Sequence, residues 1–291
     1  VSAKQALKVA WVATLVFAGI EFVGGKFAHS LALIADSVHL VTDAGALGLA
    51  FFATWIAAHP PTRKMSYGYH RVEILTALVN GVGLVTVAIF LVKEAFERLH
   101  HRLPSIHLSV MLGVGSAGFF FNLFVALLLR RASRENVNVR SAFLHVLADL
   151  LGSVGVVAAG LVIWKTGWLY ADPAVSIGIA LLIVWGAWQI LRDVVEVLLE
   201  AAPARVDMER LEARLLALSG VEEICDLHVW TISSGKEALS AHLGVRPSAH
   251  SDSLLKEVNS ILSCEFGIQH TTIQFEPSAQ KPHGKIDHPS L

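Results

Sequence analysis

Charged side chains are what this sequence has least of. Asp, Glu, Lys and Arg make up 16% of its 291 residues against 54% hydrophobic, and mean hydropathy is +0.58. Soluble globular domains carry about 25% charged residues, so an ordinary water-soluble enzyme is the first class excluded. Intrinsic disorder goes with it, because disorder needs low hydrophobicity and high net charge. A net charge of −1 leaves no basic excess to hold nucleic acid. The two cysteines, Cys225 and Cys264, are too few for a disulfide framework. No Gly-x-x-x-x-Gly-Lys-Ser/Thr phosphate loop occurs, so ATP is not the evident energy source. His-Glu-x-x-His is also missing, which removes the zinc metalloprotease motif. Histidine runs against the trend, with 14 copies in a chain poor in other ionisable groups.

What is present is long apolar runs. Ile74–Val92, Leu103–Leu129, Leu150–Trp164 and Pro173–Leu191 contain no Asp, Glu, Lys or Arg. A bilayer core of roughly 30 Å needs about 20 apolar residues as helix. Two further runs qualify if a few acids are tolerated, Leu7–Ala28 with Glu21 and Ser30–Ala58 with Asp36 and Asp43. The expectation is six membrane helices, at 7–28, 30–58, 71–98, 106–130, 141–164 and 172–195. The first follows Lys4 and Lys8, but Glu21 interrupts it and no small-residue cleavage site is evident, so it does not read as a cleaved signal peptide.

Charge separates two materials. Residues 1–200 hold 15 Lys+Arg and 12 Asp+Glu, whereas residues 201–291 hold 8 and 12. Ten basic residues, from Lys4 through Arg63, Arg71 and Arg140 to Arg192, fall on one side of the six spans. Only Lys26, Arg98, Arg102 and Lys165 fall on the other, and Lys93 lies within the third span. The positive-inside rule then puts both termini in the cytoplasm. The acidic part reads as a small α+β unit, α-β-β-α-β, with helices at Arg205–Leu218 and Ser251–Leu262. Its strands are expected at Glu222–Ser233, Glu237–Val245 and Ile268–Glu276. Ser233-Ser234-Gly235-Lys236 is a hairpin signal, and both helices belong on one face of an open sheet. The domain expectation is 1–200 in the membrane, 201–277 as the α+β unit and 278–291 as a polar tail.

Two spans contain His followed four residues later by Asp: His39 and Asp43 in the second, His145 and Asp149 in the fifth. On a helix that spacing stacks two side chains on one face. An intramembrane carboxylate costs about 2.5–3.5 kcal/mol on insertion scales, and such residues default to function and to the bundle interior. The second and fifth spans run antiparallel, which brings His39 level with Asp149 and Asp43 level with His145. Two imidazoles and two carboxylates suit a tetrahedral divalent ion, Zn²⁺ first, and their two negative charges neutralise it. The bland reading, two self-satisfying His–Asp pairs, leaves the repetition unexplained. A membrane haem protein using His39 and His145 as axial ligands is the rival from another class, and it leaves both Asp residues without a role. A metal sensor anchored by its membrane part would not need intramembrane ligands.

The run Ser30–Asp43, Ser66-Tyr-Gly-Tyr-His70-Arg71-Val-Glu73 and His145-Val-Leu-Ala-Asp149-Leu-Leu-Gly-Ser-Val-Gly resemble the cation diffusion facilitator family, closest to its zinc-transporting branch. Asp226-Leu-His228-Val-Trp230-Thr and His270-Thr-Thr-Ile-Gln-Phe-Glu276 resemble that family's cytoplasmic domain. The resemblance implies a homodimeric metal/proton antiporter, with six membrane helices per protomer and a ferredoxin-like cytoplasmic domain. It places the transport site at His39, Asp43, His145 and Asp149. Zn²⁺ is then the transported ion, with Cd²⁺ or Co²⁺ as further cargo and protons as counter-substrate. The membrane implied is the bacterial inner membrane. No nucleic acid is implied as partner.

The resemblance also points to a second metal site at Cys225, His242, His270 and Glu276, where position 225 is often His in the family. Strand alternation sorts these residues: Cys225 and His228 are three apart and are expected to face opposite ways, which leaves His228 as an alternative ligand. His270 and Glu276, six apart, are expected on one face. The 59–70 loop lacks clustered acids and carries Arg63 and Lys64, so a further metal site there is not expected. Asp36 is one turn from His39 and shares its face, as a proton relay, gate or hydrogen-bond partner; Glu21 and Asn122 are read the same way.

Overall fold

The computed structural model describes residues 3–100, 105–132, 137–233, 235–246 and 251–277. Within these, the side chains of residues 3–10, 128–132 and 137–145 and of Leu47, Ala50 and Ala148 lie outside the described set. Residues 247–250 and the polar tail expected at 278–291 also lie outside it. Contacts divide the chain into two compact units, Val1–Phe52 with Thr76–Leu191 and Ala53–Leu75 with Arg192–Leu291.

Six long helices come first: α1 Ala3–Ala28, α2 Leu31–Ala57, α3 Val72–His100, α4 Leu108–Ala132, α5 Val137–Thr166 and α6 Ala171–Leu198. Each is long and apolar enough to cross a bilayer. Their large exposed side chains are apolar, among them Phe27, Phe51, Phe90, Phe120, Trp164 and Trp185, as a lipid solvent requires. The interior of the first unit is built from small and branched residues, Ala28, Leu31, Ala35, Ala88, Met111, Val156, Ala159, Ile179 and Ala187. Small side chains let membrane helices approach closely and gain dispersion contact.

The start of α2 is fixed from outside its own segment. His29 takes φ 54 at the α1–α2 turn, and the Leu33 N–H donates to Ser30 Oγ at 3.3 Å, an N-cap bond. Asp172, in the first turn of α6, then accepts from Ser30 Oγ at 2.5 Å, from the Leu31 N–H at 2.7 Å and from the Ala32 N–H at 3.2 Å. Arg98, near the end of α3, donates to the His29 carbonyl at 2.8 Å and lies 3.8 Å from the Asp172 carboxylate. One buried carboxylate thus satisfies two of the orphan donors of the helix that carries His39 and Asp43.

The second unit holds α7 Met208–Leu216, β1 Val221–Ser233, β2 Lys236–Val245, α8 Ser251–Cys264 and β3 His270–Pro277. Asp207 caps α7 by accepting from the Arg210 N–H at 3.0 Å. β1 and β2 pair antiparallel through the short turn at Gly235, which takes φ 73. β3 pairs parallel with β2, α8 forming the crossover. Leu211 and Leu215 of α7 and Leu254, Val258 and Leu262 of α8 share one core with Val229, Leu239, Ala241 and Leu243, so both helices cover one face of the order β1-β2-β3.

Arg214 donates to Glu265 from Nε at 3.0 Å, and that bond holds the Glu265 carboxyl below its usual range. A depressed folded-state pKa adds stability above the unfolded value, about 4.3, and loses it as pH falls through the folded value. Glu265→Gln is therefore expected to lower the melting temperature at pH 7 and to lower it less at an acid pH below the usual carboxylate range. The effect at pH 7 is small because the pair is exposed. Thermal scans at the two pH values check this, and an equal shift at both would contradict it.

Candidate metal centre

His39, Asp43 and Asp149 each offer a ligand atom, and the three atoms lie within 4.8 Å of one another. Helical geometry accounts for the first two. Four residues apart on α2, His39 Nδ1 is 3.3 Å from Asp43 Oδ2. α5 brings the third, with Asp149 Oδ1 3.6 Å from His39 Nε2. Asp149 is 3% exposed, while His39 and Asp43 are half-buried. The His145 side chain lies outside the described residues; its backbone is in α5, one turn before Asp149.

The donor set fits a small divalent cation. Zn²⁺ bonds of 2.0–2.2 Å in a tetrahedron put neighbouring ligand atoms about 3.4 Å apart, close to the spacings found. One imidazole and two carboxylates supply borderline and hard donors with the charge to neutralise a dication. Trp11 of α1 helps hold this part of α2, donating from Nε1 to the Ala44 carbonyl at 3.0 Å. Thr42 Oγ donates back to the Val38 and His39 carbonyls at 2.7 and 2.8 Å. Both His39 ring nitrogens face carboxylates, an arrangement unlike an axial haem ligand, which turns one nitrogen to iron.

A polar layer lies one turn away. Asp36, 1% exposed, accepts from Ser153 Oγ at 3.3 Å, and Ser153 accepts from Asn122 Nδ2 at 3.1 Å. Glu21 on α1 is fully buried. Gly118 and Gly152 make room for these carboxylates: a Cβ on Gly152 would sit 2.6 Å from Asp36 Oδ1, and one on Gly118 would overlap Glu21 Oε1. Asp36, Glu21 and Asn122 were visible in the sequence only as polar residues in apolar helices; that Ser153 joins Asp36 to Asn122 was not.

In the second unit the expected ligand set divides. Cys225 is the register partner of His242, and His242 Nδ1 is 3.0 Å from Glu276 Oε1. His270 pairs with Ala238 at the other end of β3, where its ring packs edge-on against Tyr67 at 5.4 Å between centroids. Even spacing sets the face but not the distance: six residues along a strand are roughly 20 Å, too far for His270 and Glu276 to share an ion.

Nor do Cys225 and His228 face opposite ways. Cys225 opposes His242 and His228 opposes Ser240, so β1 spends three residues where β2 spends two. The bulge has its extra residue near Asp226, at φ 53, and it returns Cys225 and His228 to one face. His228 Nε2 lies 3.0 Å from Asp226 Oδ1. Among the described residues, no other trio of His, Cys, Asp and Glu gathers as closely as the one on α2 and α5. In the 59–70 loop, His70 Nε2 is 2.9 Å from Lys236 Nζ, an ammonium rather than an acid.

Comparison with known proteins agrees with this architecture. The sequence profile of the cation efflux transmembrane domain matches residues 7–199, and that of the cation efflux protein cytoplasmic domain matches residues 203–278. Metal cation efflux system protein CzcD of Cupriavidus metallidurans is 39% identical over 277 residues, covering 94% of this chain and 86% of that protein. Zinc transporter ZitB of Escherichia coli is 39% identical over 284 residues, covering 97% and 90%. The cadmium, cobalt and zinc/H(+)-K(+) antiporter of Bacillus velezensis is 34% identical over 290 residues, covering 98% and 92%. With six membrane-length helices, a His–Asp cluster between two of them and matches along nearly its whole length, this chain belongs to the cation efflux family, the cation diffusion facilitators, whose members are multi-pass membrane transporters of metal cations and not enzymes.

Proposed function

We propose that the protein exports Zn²⁺, and with it Cd²⁺ or Co²⁺, from the cytoplasm in exchange for protons. The carrying observation is the His39, Asp43 and Asp149 cluster on two membrane helices. The names of the relatives, one a zinc transporter and one a cadmium, cobalt and zinc antiporter that uses protons, support the same reading. Residues 1–200 are the transport domain and 201–277 the cytoplasmic domain, through which two copies form a homodimer. The membrane is the bacterial inner membrane, with both termini cytoplasmic, as the Lys and Arg bias requires.

Four ligands carry the ion: His39, Asp43, His145 and Asp149. Zn²⁺ binds neutral imidazole and ionised carboxylate, and protons compete for both, so one site can exchange one cargo for the other. α2 and α5 shift against the remaining helices to open the site to alternate sides. Expelling a dication against an inside-negative potential costs about 4.6 kcal/mol per 100 mV, and inward protons offset part of it. In the cytoplasmic domain Cys225, His242 and Glu276 are the better-placed part of a second site, with His228 on the same face and His270 outside it.

The test is metal uptake into proteoliposomes with and without a pH gradient. An outwardly directed proton gradient is expected to accelerate Zn²⁺ entry several-fold in vesicles whose transporters face outward with their cytoplasmic side. Flux indifferent to the gradient would remove proton coupling from the proposal.

A further inference from the structure

Glu21 has no evident structural use. It is fully buried on α1, and neither carboxylate oxygen has a hydrogen-bond partner among the described residues. One side of its surroundings is apolar, with Phe17 stacked on Phe121 at 4.8 Å and buried Leu40 beside them. No described lysine on α1, α2, α4 or α5 neutralises it: Lys26 is exposed over the Phe22 ring and Lys165 is exposed at the far end of α5. Among the described side chains, the other titratable groups on the packed helices are Asp36, His39 and Asp43 on α2 and Asp149 on α5. The described side chains of α4 are all uncharged, Asn122 among them. An ionised, unpartnered carboxylate in such a place is strongly disfavoured. A permanently neutral role would be served as well by glutamine.

The room around Glu21 is shaped. Gly118 on α4 leaves a hollow that a Cβ would fill, with Glu21 Oε1 and Ser153 Oγ on its walls, Ser153 Oγ at 3.4 Å from the Cβ position. Ser153 donates to Asp36 at 3.3 Å, and Asp36 is one turn from His39. A hydroxyl thus stands between Glu21 and the layer next to the metal site, while Glu21 itself sits on a helix with no metal ligand.

We propose that Glu21 is a proton-carrying residue of the exchange, a role that rests on the antiport reading and assigns one of its protons. With the metal site empty, the charge of Asp149 opposes a further negative charge on Glu21, and the Glu21 carboxyl keeps its proton. A dication at the site cancels that repulsion; the O–H bond breaks, the proton leaves, and it returns when the metal departs. No electron moves. Metal and proton exclude each other here through the field rather than by sharing ligand atoms, and the linkage is reciprocal.

The experiment titrates Zn²⁺ into the full-length protein in lightly buffered detergent between pH 6 and 8, reading protons released per metal bound. It is paired with the gradient-driven flux assay. Glu21→Gln is expected to bind Zn²⁺ and to release one proton fewer per protomer. The ratio of flux with a gradient to flux without should also fall. Gly118→Ala fills the hollow, displaces the carboxyl without changing charge, and is expected to reduce the ratio too; it carries the test if Glu21→Gln does not fold. Glu21→Asp keeps a proton and is expected to restore part of the coupling. Full wild-type proton release and coupling in both Glu21→Gln and Gly118→Ala overturns the assignment. Loss of gradient dependence in the wild type overturns the antiport reading instead.

Discussion

Asp149→Ala is expected to abolish metal transport while leaving dimer assembly intact. Asp149 is 3% exposed and 3.6 Å from the His39 ring, so in the proposed site its carboxylate serves as both ligand and counter-charge. Without it the dication keeps a net positive charge among apolar helices, the state a bilayer disfavours most. Loss of partners one shell out lowers metal affinity about 10–100-fold, and loss of a charged ligand is expected to exceed that range. Asp149→Asn is expected to fail as well, because it preserves shape and removes the charge. Calorimetric Zn²⁺ binding and proteoliposome flux check this, with gel filtration for assembly. Zn²⁺ affinity within tenfold of wild type in Asp149→Ala would remove Asp149 from the site.

The second large effect lies far from the metal. Asp172→Ala is expected to destabilise the membrane unit by about 3–5 kcal/mol, the range for breaking one side of a buried pair. Asp172 is 1% exposed and accepts from Ser30 and from two backbone N–H groups of α2, with Arg98 beside it. Its loss orphans those donors and leaves Arg98 with the Glu94 carboxylate and the His29 carbonyl. Asp172→Asn keeps acceptor capacity through one oxygen and is expected to cost less. Thermal unfolding in detergent measures both, and equal stability of Asp172→Ala and wild type would show that the cap is dispensable.

Apolar length alone made the six helices legible, because a bilayer core sets one span for every crossing. The observed helix ends depart from the expected ones by only a few residues. The α-β-β-α-β order was legible for a related reason, since the period of the apolar residues changes from helix to strand along the tail. His39 over Asp43 followed from a spacing of four on one helix. None of this needs long-range information.

Long-range facts required the tertiary structure. Periodicity cannot show that Asp172 caps a helix some 140 residues earlier in the chain, or that Ser153 joins Asp36 to the neighbourhood of Glu21. Strand parity failed where β1 bulges at Asp226, since one extra residue inverts every later face. It also failed for His270 and Glu276, which parity put on one side without measuring the strand between them.

The opening scarcity of charge now has a local meaning. By itself the sequence determined that a bilayer must be the solvent for residues 1–200, and that any acid left inside it needs a reason. Only the tertiary structure decided which acids meet. Asp149 reaches His39, Asp36 reaches Ser153, Asp172 reaches the start of α2, and Glu21 is enclosed by Gly118. Helix length and pattern follow from local chemistry, whereas the partner of a buried charge is set by which helices pack.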